Sequence, residues 1–129
     1  GYLYSSSMKD CDWAYLWEKD QKELPLVELP NDITMDDFTY YYFTFSDPAV
    51  RCMYPNRKVL GNWKQEFDGL ALEGNKIFIL KLHPQMIGRT SRIGMVGEFI
   101  AYMQNHGAWI TTCEDVARYV QKQNGGNRA

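Results

Sequence analysis

The sequence predicts an α/β fold in which parallel strands alternate with helices, and two observations carry that expectation. One is the apolar run Ile77-Phe-Ile-Leu-Lys-Leu82, which lies between two amphipathic helical patterns. A strand that is apolar on both faces is one covered by helices on both faces. The other is the order strand, helix, strand, helix, strand, helix, the grammar of a parallel sheet or (β/α) barrel. Only three or four strands can be counted in the 129 residues, whereas a barrel closes with about seven or eight strands in roughly 250 residues. The expectation is half a barrel, or a small open sheet, with an unpaired edge at each end.

Composition bounds the function. Apolar residues at 45% and charged residues at 23% are those of a globular chain. The aromatic share of 15% favours packed faces or a ligand cleft. A net charge of −2 with scattered Lys and Arg argues against a nucleic-acid partner. No apolar run is long enough for a membrane span, so no membrane partner is expected. The chain has no initiator Met and no leader-like start, which predicts a fragment or a processed product. Cys11, Cys52 and Cys113 are far apart and read as thiols of a cytoplasmic protein rather than a disulfide framework or zinc site.

Along the chain, Tyr4-Ser-Ser-Ser-Met8 is a turn-rich opening. Residues 10–17 mix acids with large rings and read as a surface loop, with Trp13 either packed down or walling a ligand cleft. Leu24–Pro30 is a short strand limited by its prolines. Asp36 and Asp37 either cap a helix turn or carry acid chemistry. The aromatic run Phe38–Phe45 shows no clean period and predicts an irregular, mostly buried segment. Residues 46–61 read as a loop broken by Pro48, Pro55, Asn56 and Gly61.

Regular periodicity starts at Asn62, which with Gln65 resembles a capping box. Trp63, Phe67, Leu70 and Ala71 then share one helical face, ended by Gly74-Asn75. After the strand 77–82, Ser91 is the expected N-cap of a helix whose Ile93, Val96, Phe99, Ile100 and Met103 face the core. Gly107 stands at its C′ position. Ala108–Thr111 is a third short strand. Thr111 with Glu114, or Thr112 with Asp115, caps a last helix carrying Val116, Ala117 and Val120, and 123–129 is a frayed tail. Residues 1–129 form one partial domain.

His83 stands at the mouth of the apolar strand, where α/β enzymes keep their chemistry. Expelling an amine near neutral pH suits a histidine acid, while the plainer role is a strand-end ring satisfied by backbone carbonyls. Arg89 and Arg92 adjoin a helix N-terminus and either dock an anionic group or pair with neighbouring acids. His106 reads as a helix-end histidine. With two histidines and no evident carboxylate cluster, no metal site is expected within the chain.

Taken together, these pieces resemble the C-terminal half of the polysaccharide deacetylase (NodB-homology) family, in the branch of allantoinase-like enzymes, cyclic imide hydrolases and peptidoglycan deacetylase homologues. Tyr4-Ser-Ser-Ser-Met8 resembles the family's Tyr-Asp-Ser-Ser-x-Met, with Ser5 in place of the usual Asp. Val27-Glu-Leu-Pro30 and Met35-Asp-Asp37 resemble its Val-Glu-Leu-Pro and Leu-Asp-Asp segments. Trp63-Lys-Gln-Glu-Phe-Asp68, Leu82-His-Pro-Gln85, Gly88-Arg-Thr-Ser-Arg92 and Trp109-Ile-Thr-Thr-Cys-Glu-Asp115 complete the series.

The resemblance implies a deformed (β/α) barrel that hydrolyses C–N bonds of N-acetylated sugars, ureides or cyclic imides. It implies a carboxylate base that activates water, often on a divalent metal (zinc) held by one Asp and two His, and a histidine in Leu-x-Leu-His that protonates the leaving nitrogen. His83 matches that histidine. Arg89, Arg92, Trp13, Asp36 and Asp37 are the expected substrate contacts. The base and metal ligands belong to the N-terminal half, so the expected partners are that half or a second chain, a saccharide or small-molecule substrate, and further copies of the chain. The alternative is a non-catalytic sugar-binding or assembly module; an unrelated small α/β regulator would require the motif series to be coincidence.

Overall fold

The computed structural model describes residues 1–47 and 53–125. Pro48 and Cys52, and the tail beyond residue 125, lie outside the described residues. The first departure from expectation is a hairpin where residues 10–17 read as loop. Strand β2 (Tyr15–Lys19) turns directly into β3 (Lys22–Glu28) and pairs with it antiparallel. The turn residues Asp20 and Gln21 both hold positive φ, 51° and 61°, which is the type I′ geometry that matches strand twist. Asp-Gln is not the Asn-Gly pair that normally announces such a turn, so the hairpin gave no local signal.

Strand β1 (Tyr4–Ser5) lies parallel to β3 on its other side, giving the order β1-β3-β2. The sheet is therefore mixed rather than all parallel. Pro25 sits inside β3, within the register irregularity between the Leu16–Val27 and Glu18–Glu23 pairs. A proline is tolerated there because the interrupted ladder asks for no N–H.

A 3-10 turn (Ile33–Met35) leads into the short helix α1 (Asp37–Tyr41), capped by the Asp36 carboxylate on Phe38 N–H. The aromatic run is thus helical at its start, with Tyr40 and Tyr41 buried, but Phe45 is 83% exposed. Helix α2 (Asn56–Glu73) begins six residues before the expected Asn62, so the Asn62–Gln65 pair lies inside it. Pro55, with φ −59°, is preset for helix entry. Val59 extends the buried face upstream of Trp63 and Phe67 at i, i+4 spacing, while Ala71 is exposed. Gly74 (φ 71°) and Asn75 (φ 53°) end the helix.

Helix α3 (Pro84–Ile87) and helix α4 (Thr90–Asn105) follow. Arg89 rather than Ser91 occupies the α4 N-cap, without a side-chain cap. Ile93 and Ile100 of the expected stripe are 55% and 38% exposed; Met95 is buried instead. Gly107 carries φ 78° at the helix exit. Helix α5 (Cys113–Gly125) starts on the Thr112–Asp115 pair, in which Thr112 accepts from Asp115 N–H and donates to its carboxylate. It continues through Gln123–Gly125, the first residues of the expected tail.

Two cores result. Trp63, Phe67 and Phe99 unite α2 and α4 around one, joined by Tyr40, Tyr41 and Met103. Val27, Leu29 and Ala117 make the other, between β3 and α5. The run 77–80 is the wall between them. Phe78 and Leu80 pack against the first core and Ile77 and Ile79 against the second, the period-2 alternation of an extended chain. That segment was expected as a strand but joins no ladder. Its backbone is tied at Ile77 N–H to Asp12 O (2.9 Å) and by the parallel bridge Asp36–Lys81. Ala108–Thr111 is likewise outside any strand, and the two segments line an apolar cleft of about 760 Å³. No helix among the described residues is long and apolar enough to cross a membrane.

Because Asp20 and Gln21 carry the cost of positive φ, replacing them with Asn and Gly should stabilise the hairpin. The double substitution Asp20→Asn/Gln21→Gly is expected to raise stability by about 1 kcal/mol. Chemical denaturation measures this, and an unchanged or lowered midpoint would contradict the turn assignment.

Candidate functional site

His83 ends the extended wall and starts α3. Its own backbone is extended (φ −100°, ψ 117°), and Pro84 follows at the first helical position, where a missing N–H costs nothing. The α3 turn closes tightly on Gly88, whose N–H reaches Pro84 O at 3.0 Å. A Cβ on Gly88 would meet that same oxygen at 2.5 Å, so this turn admits glycine alone.

The parallel bridge sets the other half of the site. Lys81 N–H donates to Met35 O and Asp37 N–H donates to Lys81 O, at 2.9 and 3.1 Å. This pairing lays the Asp36-Asp37 dipeptide beside His83. Asp37 is 0% exposed. Its carboxylate accepts His83 N–H at 3.0 Å on both oxygens and meets ring Nδ1 at 2.7 Å through Oδ1. A buried carboxylate needs such donors, because an unpaired charge in the interior is costly. The contact makes Nδ1 the hydrogen-bearing nitrogen of the neutral ring and leaves Nε2 as the other functional atom. The side chain of His83 is 38% exposed. Phe38 lies against the ring at 5.1 Å and stacks on Tyr42 at 4.2 Å.

Asp36 approaches less closely, with Oδ1 at 3.6 Å from Nδ1 and Oδ2 at 3.0 Å from Lys81 Nζ. Lys81 also donates to Asn31 Oδ1 at 2.8 Å, and Asn31 Nδ2 holds Ser6 O at 3.0 Å. The opening loop is fixed a second time through Glu28. Its fully buried carboxylate accepts Ser7 N–H, Met8 N–H and the Trp17 indole N–H at 2.6, 2.8 and 2.9 Å. Burial pushes the Glu28 carboxyl up, but those donors outweigh it and hold the group below its usual 4.5.

Several expected substrate contacts have other work. Asp37 is enclosed and serves His83. Asp36 caps α1 and pairs with Lys81. Arg92 donates to Met86 O at 2.6 Å and lies over the Tyr41 ring at 4.0 Å, bracing α3 rather than pairing with acids. Arg89 is exposed at the α4 N-cap. Trp13 is 51% exposed under Lys76 and lines the apolar cleft, whose walls include neither His83 nor the two aspartates. His106 is exposed at the α4 exit, its Nδ1 2.8 Å from Tyr102 O.

The expectation of no carboxylate cluster is corrected. Asp36, Asp37 and His83 bring one ligand atom each within 4.8 Å of one another. They do not fit a metal ion. Both Asp37 oxygens and Nδ1 are consumed by each other and by the His83 amide, Asp36 caps a helix, and the Lys81 ammonium already supplies the local positive charge. Sequence reasoning missed Lys81, Asn31 and Glu28. Lys81 had a signal: it is the one charged residue in the otherwise apolar strand.

No family model and no curated protein sequence matches the chain. Solved structures do. A protein assigned as a polysaccharide deacetylase from Mycobacterium smegmatis superposes with a TM-score of 0.81 and 26% identity, over 95% of this chain and 42% of that one. The chain has the fold of part of a polysaccharide-deacetylase-like (NodB-like) domain. Puue allantoinase is similar at TM-score 0.73 and 27% identity, over 91% of this chain and 38% of its own. A protein assigned as a polysaccharide deacetylase from Pseudomonas aeruginosa gives 0.75 and 27%, over 94% and 39%. The chain thus spans about two fifths of the length of the structures it matches. The mixed α/β architecture agrees with this NodB-like domain, while a closed barrel is not formed by the described residues.

Since the folded Glu28 carboxyl titrates below its usual value, it stabilises the fold above about pH 4.5 and loses that contribution as pH falls through its folded pKa. Glu28→Gln is expected to destabilise the chain by about 1–3 kcal/mol at pH 7 and to flatten the acid limb of its stability profile. Superposable profiles of parent and variant, followed by circular dichroism, would show that the loop is held otherwise.

Proposed function

We propose that the chain supplies the proton-donating side of a hydrolase acting on non-peptide C–N bonds. The substrate is an N-acetylated sugar or a ureide or cyclic imide. The observation that carries this is the fully buried Asp37 carboxylate at 2.7 Å from His83 Nδ1. Likeness to polysaccharide deacetylases and an allantoinase supports the reaction class. The general acid is the protonated ring. Asp37 holds Nδ1–H and stabilises the imidazolium, while Nε2–H passes its proton to the departing nitrogen as the tetrahedral intermediate collapses. Water adds to the carbonyl carbon and the C–N bond breaks. An N-acetylated sugar gives a free amine and acetic acid, whereas a cyclic ureide or imide opens to one molecule that carries the new carboxylic acid and the protonated urea or amide nitrogen.

The described cluster contains no free carboxylate to deprotonate that water. The base, and any divalent metal such as zinc that assists it, would come from polypeptide outside this chain: the other part of the domain or a second chain. Arg89, exposed at the head of α4, is the remaining candidate for an anionic substrate group.

The test is hydrolysis of chitin oligomers and of allantoin by the chain in its native assembly. His83→Ala is expected to lower kcat by roughly 10²–10⁴, and Asp37→Asn to lower kcat with KM little changed. Full activity in His83→Ala would end this reading. Saccharide binding that survives His83→Ala, with no turnover of either substrate, would favour the non-catalytic module.

A further inference from the structure

Lys81 has no part in the reaction so far described, yet its side chain is tied into the polar centre of the site. It projects from an otherwise apolar wall and is 28% exposed. Its ammonium touches Asp36 Oδ2 at 3.0 Å and Asn31 Oδ1 at 2.8 Å. Asp36 is 16% exposed, and its other oxygen stands 3.6 Å from His83 Nδ1 and receives Phe38 N–H at 2.9 Å. The imidazole therefore faces two carboxylates, one at 2.7 Å and one at 3.6 Å. Among the described residues, Lys81 pairs with the farther one, and no Lys or Arg pairs with the nearer.

We infer that Lys81 is a positioning residue for His83: its ammonium neutralises Asp36 and draws that carboxylate off the ring, so that Nδ1 is bound by Asp37 alone. This rests on the reading of His83 as the proton donor. An imidazole facing two uncompensated carboxylates at this range would hold its proton too firmly to release it. A proton donor has to exchange its proton within each turnover, so one carboxylate is left to orient the ring and the other is balanced. Among the described residues, the charged groups that meet the ring are Asp36 and Asp37 at the start of α1, and Lys81 of its own segment reaches it through Asp36. Arg92 of α4 reaches the neighbouring Tyr41 ring instead. The same ammonium explains why three convergent ligand atoms do not make a metal site: the chain supplies its own cation.

The experiment is imidazole 15N spectroscopy of the 129-residue chain, whose two histidines, His83 and His106, are told apart by His106→Gln. At a pH where the parent His83 ring is mostly neutral, Lys81→Met is expected to raise the ratio of doubly protonated to neutral ring roughly three- to tenfold. Lys81→Arg should stay near the parent. Asp36→Asn in the Lys81→Met background should restore the parent pattern, which the loss of a merely structural lysine would not do. His106 signals serve as the fold control in every variant that retains His106. An unchanged pattern in Lys81→Met, or one that Asp36→Asn fails to restore, would overturn the inference. Either result concerns the ring alone, so it stands apart from whether the assembly hydrolyses C–N bonds.

Discussion

The Asp37 carboxylate is the constraint from which the rest of the site follows. It is completely enclosed, and a buried charge persists only where donors meet its lone pairs. Among the described residues its donors come from His83, through the backbone N–H and the ring. The two residues are 46 apart in sequence, so this contact joins the α1 cap to the end of the apolar wall. The parallel bridge beside it and the glycine-closed α3 turn hold the geometry from both sides. Loss of the pair would leave an uncompensated charge in the interior, so stability and the proposed chemistry depend on one interaction.

Around that pair the chain builds a second polar layer. Lys81, Asp36 and Asn31 connect the wall, the α1 cap and the opening loop, and Glu28 anchors that loop a second time with three donors. Ser5 hydrogen-bonds Ser7 at 3.0 Å at the start of the loop, and farther along Asp10 accepts from the Tyr15 hydroxyl at 3.0 Å. The start of the loop is thus positioned from beneath by the buried Glu28 carboxylate and the Asn31 amide.

How much of this was legible in the sequence depended on whether the signal was local. Most of α2 from Asn62, α4 and most of α5 left clear periodicity, and Gly74 and Gly107, both at positive φ, marked the ends of α2 and α4. His83 was visible because a polar ring ends an apolar run, and Asp36 because caps have a residue signature. The hairpin was not visible, since Asp20-Gln21 reaches type I′ geometry without glycine. Helix α2 began early because Pro55 starts a helix as well as it breaks one. The Asp37–His83 and Lys81–Asp36 contacts are long-range, and spacing alone could not pair them. The wall at 77–80 was read correctly as apolar on both faces, yet a strand is defined by its neighbours, and the described residues give it single contacts rather than a ladder.

The site stands on the hydrogen bond between the buried Asp37 carboxylate and His83 Nδ1, and the most direct measurement is proton NMR of that nitrogen's hydrogen. The structure predicts a far-downfield proton, coupled to His83 Nδ1, that exchanges slowly with water and disappears in Asp37→Asn. A ring proton that exchanges freely with solvent, or one that persists unchanged in Asp37→Asn, would contradict the arrangement on which the proposed chemistry depends.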